Sequence, residues 1–311
     1  MTRKTKGKWA TELAHLAAAA QAADQIVQAV GLKPPIDPLE IVKAESRLLK
    51  AAGCDLKNRY DGQLEYHRKK DRFLLYYNTK YDTGRTAGDH HPRTRFSIGH
   101  ELDHYFLSAH RAFLMRTGTA HRSSAEFRNN LFVEREADAF ASGLLLPAHA
   151  FEPAVNDGGE LSLSRVKRLA DRFQASLIAT AIRAVRLSNF PCGIVGIREG
   201  QKAWCFASES LVDIGAFPAK GGLSPPRTAL GQWGRFERGQ FEEHEQDGNL
   251  TDWFQTYERD ELGGVLVTES YISVPTMKTL LVLLTADESD LCDPDEDESD
   301  EEEGYIPSRD R

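Results

Sequence analysis

The 311-residue sequence is short of cysteine, of long apolar runs and of positive charge, and each shortage removes a class of protein. Its four cysteines (Cys54, Cys192, Cys205 and Cys292) are widely spaced with no Cys-x-x-Cys pair, which argues against a cysteine zinc site or a disulfide framework and fits an intracellular chain with reduced thiols. No stretch approaches the ~18 apolar residues of a membrane span. The basic start, Met1 to Lys8, runs into an alanine-rich stretch, but Glu12, His15, Gln21 and Asp24 interrupt it, so an amphipathic helix fits better than a signal peptide. A cytoplasmic location is expected. The basic surplus of a dedicated electrostatic nucleic-acid binder is missing as well. Residues 287–303 hold twelve carboxylates and no Lys or Arg, and setting them aside turns a formal charge of −8 into only +4. There is no internal repeat.

What is present is ample material for a packed core, with 41% hydrophobic and 28% charged residues. Helical spacing runs over residues 10–30, with Gly31 as a stop. Asp37, Pro38 and Glu40 read as N-cap, first-turn proline and capping-box acid of a short helix to about Glu45. Strands are expected at Gln63–His67 and Arg72–Asn78, joined by a hairpin turn. After a loop from Thr79 to Pro92 comes a helix from about Thr94 to Leu107. A less regular loop follows, then Ser123-Ser124-Ala125-Glu126, a capping-box pattern opening a long helix to Leu146. Residues 151–160 read as a linker. Two helices, Ser164–Phe173 and Ser176–Leu187, are joined by Gln174-Ala175. Strand-like segments then appear at Ile194–Ile197, Ala203–Ala207, Trp253–Tyr257, Val265–Ile272 and Thr279–Leu284, and the last 25 residues read as a disordered acidic tail.

His100-Glu101-Leu102-Asp103-His104 is the one strong chemical signal. Positions i and i+4 of a helix lie one above the other, so His100 and His104 can share a Zn²⁺ while Glu101 reaches its water. A catalytic zinc site needs a third protein ligand and an open position. Glu134-Arg135-Glu136-Ala137-Asp138 offers it: Glu134 as ligand and Asp138, one turn on, as the carboxylate holding a ligand imidazole. Glu136 is about 200° around the helix from Glu134 and stands in reserve.

The segment Phe96–Leu107 followed by Glu134–Pro147 resembles the ImmA/IrrE family of zinc metallo-endopeptidases. The resemblance implies an α+β fold: a zincin-like core of helices plus a small antiparallel sheet over residues 1–150, a linker and helix-turn-helix-like pair over 151–190, and a β-rich, sensory-looking domain over 191–286 ahead of the acidic tail, 287–311. It implies one Zn²⁺ per chain on His100, His104 and Glu134, with Glu101 as catalytic base. The substrate implied is a separate helix-turn-helix repressor whose cleavage releases stress-response or mobile-element genes. Asp103 departs from the family, which usually has Gly there. His-Glu-x-Asp-His also resembles peptide deformylases, and Cys54 follows a glycine as their cysteine ligand does, but their glycine-rich segment is missing.

Other features carry milder readings. The strand Arg72–Asn78 is placed to bind substrate backbone or to serve as an ordinary core strand. His90, His91, His110 and His121 read as surface histidines, one of which could stabilise an oxyanion. The helical pair carries Arg183 and Arg186 but no polar side chains at Leu177, Ile178 and Ala179, so a structural or repressor-docking unit fits better than a DNA reader. Trp233, Phe236, Phe241, Trp253 and Phe254 read as packing residues. The competing function is a non-catalytic regulator that keeps the metal fold and acts by protein or DNA binding through its C-terminal half.

Overall fold

Helical periodicity over residues 10–30 becomes α1 (Arg3–Val30), the first element of a computed structural model that describes residues 3–86, 88–123, 132–218, 224–256, 262, 264–287 and 291, with side chains from Thr11 onward. The chain divides into two compact units, residues 1–189 and 190–311.

The first unit is mixed helix and sheet. After α1 come α2 (Pro38–Ala44), β1 (Leu49–Cys54), β2 (Gly62–His67), β3 (Arg72–Asn78), α3 (Pro92–Phe106), α4 (Ser108–Thr117), β4 (His121–Ser123), α5 (Phe132–Leu145), α6 (Ala148–Asn156), α7 (Leu163–Phe173) and α8 (Leu177–Leu187). The Asp37 side chain accepts from Leu39 N, as expected from the sequence, and Ser162 and Ser176 cap α7 and α8.

The sheet is not purely antiparallel. Its strand order is β1-β3-β2-β4, and β1 runs parallel to β3 because the β2–β3 hairpin reverses the chain before β3 pairs with β1. Since β3 has a partner on each side, it has no free edge to offer a substrate. It is the core strand, with Phe73, Leu75 and Tyr77 buried in alternation.

Two glycines bring the helices that matter into contact. Gly99 of α3 backs onto Ala141 of α5, whose Cα and Cβ would each lie 3.3 Å from a Cβ added there. Gly143 of α5 faces the backbone of Ala20 in α1, whose Cα would lie 2.7 Å from an added Cβ. The helices therefore pack backbone to backbone, with Ala23, Val27, Ala137, Ala141 and Leu144 sealed between them and their neighbours.

Arg95 of α3 is buried and satisfied by carbonyls. It donates to the oxygens of Ile36 and, at 2.6 Å, Gln174, where α7 ends in a left-handed residue. Burial presses its pKa down, and the carbonyls supply the polar contacts that water would otherwise give.

Three expectations are corrected. The segment read as a linker, 151–160, begins inside α6, which buries Phe151 and Val155, and only Asp157 onward is a turn. Ser123 does not open the long helix but ends β4; Ser124-Ala125-Glu126 lie outside the described residues, and α5 is described from Phe132. The irregular loop after α3 holds a ten-residue helix, α4.

In the helical pair, residues Ile178 to Val185 of α8 are buried, and the Arg183 guanidinium turns inward toward the carbonyl of Leu146. At the start of α8 only the cap Ser176 is exposed and Leu177 is half-buried.

The second unit carries β5 (Cys192–Arg198), β6 (Gln201–Ala207), α9 (Glu209–Asp213), β7 (Ala216–Pro218), α10 (Arg227–Glu237), β8 (His244–Asn249), α11 (Leu250–Trp253), β9 (Phe254–Thr256), β10 (Leu266–Val274) and β11 (Thr279–Thr285). Five strands form an antiparallel sheet in the order β6-β5-β11-β10-β8, and β7 pairs with β9. Every residue of β5 and β11 is buried. Trp253 ends α11 and only Phe254–Thr256 are strand; Tyr257 lies outside the described residues, as do Cys292 and the acidic tail beyond Leu291. Trp233, Trp253 and Phe254 are buried in this unit's core, and Phe236 and Phe241 pack against it. At its centre Glu269 accepts from Trp253 Nε1 (2.6 Å), Tyr271 Oη (2.6 Å) and Gln246 Nε2 (2.7 Å).

Candidate metal centre

Helix α3 is buried from Thr94 to Tyr105, so its two histidines cannot escape to solvent. Its start is fixed by Asp82, whose carboxylate takes hydrogen bonds from His91 N and Thr94 Oγ1 and faces His90 Nδ1 at 2.8 Å. His90 and His91 are thereby occupied in holding the loop to the helix, His91 itself accepting from Arg93 N.

One turn apart, the rings of His100 and His104 lie 5.0 Å apart and edge to face. Helix α5, crossing behind Gly99, supplies Glu134, whose Oε2 is 3.2 Å from Nε2 of His100 and whose Oε1 is 4.0 Å from Nε2 of His104. Asp138, one turn along α5, takes the other nitrogen of His100 at 2.9 Å. Glu136 points elsewhere: its Oε1 lies 3.9 Å from Nδ1 of His15, and it is absent from the cluster. Cys54 ends β1 and is likewise outside it.

Strand β4 adds two residues that the sequence places otherwise, His121 as a surface histidine or oxyanion donor and Ser123 as a helix cap. Alternation sends His121 and Ser123 to the same face and Arg122 to the other. The Nε2 of His121 reaches within 3.3 Å of Glu134 Oε1, and its ring centroid is 4.0 Å from that of His104. The hydroxyl of Ser123 donates to Oε1 of Glu101. From α4, His110 places its Nδ1 2.7 Å from Nδ1 of His104. Gly62, opposite Ser123 in the sheet, leaves the room that Glu101 fills, because a Cβ there would lie 2.6 Å from Glu101 Oε1.

One donor atom from each of His100, His104, His121 and Glu134 falls within 4.8 Å of the others. Nitrogen and oxygen ligands about 2.0–2.1 Å from a tetrahedral ion stand roughly 3.3 Å apart, and the 3.2 and 3.3 Å separations meet that length. The Nε2 atoms of His104 and His121 and the Oε2 of Glu101 are buried with no hydrogen-bond partner. Two orphaned buried imidazole nitrogens within one donor cluster are what a metal site offers its ion. The donor set, imidazole with carboxylate, suits a divalent first-row ion.

The electrostatics agree. Against its burial, Asp138 and Glu134 hold the His100 pKa up to about 10. Burial likewise opposes the charge of Glu134, yet His100 and His121 keep it well below the usual carboxylate range. Burial, joined by the charge of His100, drives His104 well below the usual histidine value, which leaves it a neutral imidazole. Glu101 is raised by burial. Asp103, wholly buried with neither oxygen hydrogen-bonded, is pushed up by burial to about 7.

A helix-and-sheet unit that gathers imidazoles and a carboxylate where two helices cross defines a candidate metalloprotein. Residues 86–185 match the family model Peptidase_M78, the IrrE N-terminal-like domain. No curated protein sequence matches it. Among solved structures, a Mycobacterium tuberculosis transcriptional regulator superposes with a TM-score of 0.51 at 14% identity, over 88% of this chain and 77% of that one, a likeness of fold. No helix among the described residues is long and apolar enough to cross a membrane.

Proposed function

We propose that the chain is a cytoplasmic, zinc-dependent endopeptidase with a zincin-like core, one Zn²⁺ per chain and a specific regulatory protein as substrate. That substrate is a separate helix-turn-helix repressor of the Xre type, whose cleavage derepresses stress-response or mobile-element genes. The observation that carries the reading is the convergence of His100, His104 and Glu134 beside the buried, half-unpartnered carboxylate of Glu101. The family match and the regulator name of the structural neighbour support the regulatory setting.

His100, His104 and Glu134 would hold the ion. Zinc, when bound, supplies Lewis acidity that polarises a peptide carbonyl and brings the pKa of water from about 15.7 toward about 7. Asp138 keeps the proton of His100 on Nδ1, which leaves Nε2 as the electron-pair donor. Glu101 is the general base. Its Oε1 is held by Ser123, and its free Oε2 takes the proton of the attacking water and delivers it to the leaving amine.

Glu101→Gln tests the mechanism. The variant keeps the zinc content of the wild type, measured by mass spectrometry, and loses cleavage of a co-expressed repressor. Metal content should fall in His104→Ala and Glu134→Ala. A Glu101→Gln protein that cleaves at the wild-type rate refutes the mechanism. If that variant is instead silent in a cellular reporter that responds to the wild type, the chain is a non-catalytic regulator, a reading favoured by the neighbour's name and by the Ser123 contact on Glu101.

A further inference from the structure

A hydrolytic zinc site needs an open position, yet four protein donors converge here. We propose that His121 is a fourth protein ligand of the resting metal centre, so that β4 closes the site until that strand is displaced. The inference rests on the metallopeptidase reading of the same cluster and concerns its regulation.

Three observations carry it. First, the Nε2 of His121 is a buried nitrogen with no hydrogen-bond partner, 3.3 Å from Glu134 Oε1, the spacing of two ligands on one tetrahedral ion. Were His121 an oxyanion donor awaiting substrate, its nitrogen would stand off the ligand cluster toward the space a substrate carbonyl fills. Instead, its donor atom is grouped with the other three within 4.8 Å.

Second, the same strand occupies the base. Ser123, two residues on and therefore on the same face, donates to Glu101 Oε1. One three-residue strand thus reaches both the donor cluster and the carboxylate of the base, whose Oε2 it leaves free.

Third, this cover is built to come off. Strand β4 is at the edge of the sheet, and among the described residues it pairs with β2 through Gly62–Ser123, Gln63–Arg122 and Leu64–His121, with Asp61 N donating to the Ser123 carbonyl. The His121 side chain is 27% exposed, whereas those of His100, His104 and Glu134 are 1–8% exposed. Of the four donors, His121 is the one that can leave without opening a helix. Its departure creates the position that a peptide carbonyl or water needs, and loss of the Ser123 contact frees Oε1 of Glu101 in the same movement.

The test is a ligand count on the full chain loaded with zinc. With ¹⁵N-labelled histidine, NMR of the wild type should show three imidazoles with a metal-shifted nitrogen, and His121→Ala should show two. Chelator competition should place the zinc affinity of His121→Ala lower by at least the ~10–100-fold that even an outer partner of a ligand is worth. Two metal-shifted imidazoles in the wild type, with unchanged affinity in His121→Ala, overturn the proposal and leave the three-ligand reading standing. The wild-type count needs no variant to fold. A wild type that takes up no zinc from solution overturns the metallopeptidase reading and this inference with it.

Discussion

Asp138 Oδ1 lies 2.9 Å from Nδ1 of His100, while Glu134, one turn earlier on the same helix, lies 3.2 Å from Nε2 of the same ring. A single helix grips one imidazole at both nitrogens. Asp138→Asn keeps the shape but can present a donor to a donor, so it loosens the tautomer that aims Nε2 at the ion. The expected result is zinc affinity lower by about 10–100-fold with metal still bound at saturation, read by chelator competition. An unchanged affinity would mean that the carboxylate serves packing alone.

Gly62 gives a second test that leaves every donor in place. An added methyl would collide with Glu101, whose Cγ would lie 2.8 Å from it, and Glu101 is buried on all sides. Gly62→Ala should cost about 1–3 kcal/mol of stability as a small overpacking defect. It should also displace the carboxylate, abolishing cleavage with zinc content intact. Retained activity in a folded Gly62→Ala protein would show that Glu101 has slack.

What made the site legible is its local character. His100, Glu101 and His104 share one helix turn, and Glu134 and Asp138 another, so spacing alone pairs them. His121 is a ligand candidate only because β4 pairs with β2, a long-range fact that His-Arg-Ser cannot announce. The hairpin β2–β3 is visible in its alternation, whereas β1, Lys-Ala-Ala-Gly-Cys after Leu49, is half exposed and takes its place from its parallel partner. Helix α4 hides as a loop because only Leu114 is buried and Phe113 and Met115 face outward. Pro153, Gly158 and Gly159 made 151–160 look like a linker, yet the proline sits inside α6. In the second unit β8, His-Glu-Gln-Asp-Gly-Asn, has no apolar residue and is a strand only through β10.

Asp103 makes stability depend on pH. In the unfolded chain it ionises near 3.8, whereas burial lifts it to about 7 in the folded, metal-free chain. Its raised folded pKa means that its contribution is complete below about 4 and is lost as the pH rises through about 7. Asp103→Asn removes the group that titrates. The melting temperature of the metal-free variant, relative to wild type, should therefore climb between pH 4 and 7.5. A constant difference across that range would show that Asp103 does not titrate there.

Arg95 links α3 to the chain at Ile36 and to the end of α7 at Gln174. Replacing it with Met leaves the buried Ile36 carbonyl unpaired, at roughly 1–3 kcal/mol, and removes the tie to Gln174 as well. Denaturant unfolding of Arg95→Met should show a loss of about 1–3 kcal/mol. A loss below ~0.5 kcal/mol would mean that water replaces the guanidinium.

The second unit has its own check in Glu269, which accepts three hydrogen bonds. Glu269→Gln turns one acceptor oxygen into a donor among donors. It should destabilise this unit by about 1–3 kcal/mol while the zinc content of the first stays unchanged.

The backbone contact between Gly143 and Ala20 has a consequence for anyone ranking positions by saturation mutagenesis. Every substitution at Gly143 drives a side chain into the main chain of α1, which cannot swing aside as a side-chain tip could. In an activity screen the glycine will score as intolerant as His100, though it is not among the cluster's donor residues. Protein abundance separates the two: a His100 variant accumulates as an inactive protein, whereas a Gly143 variant is lost from the cell before its activity can be counted.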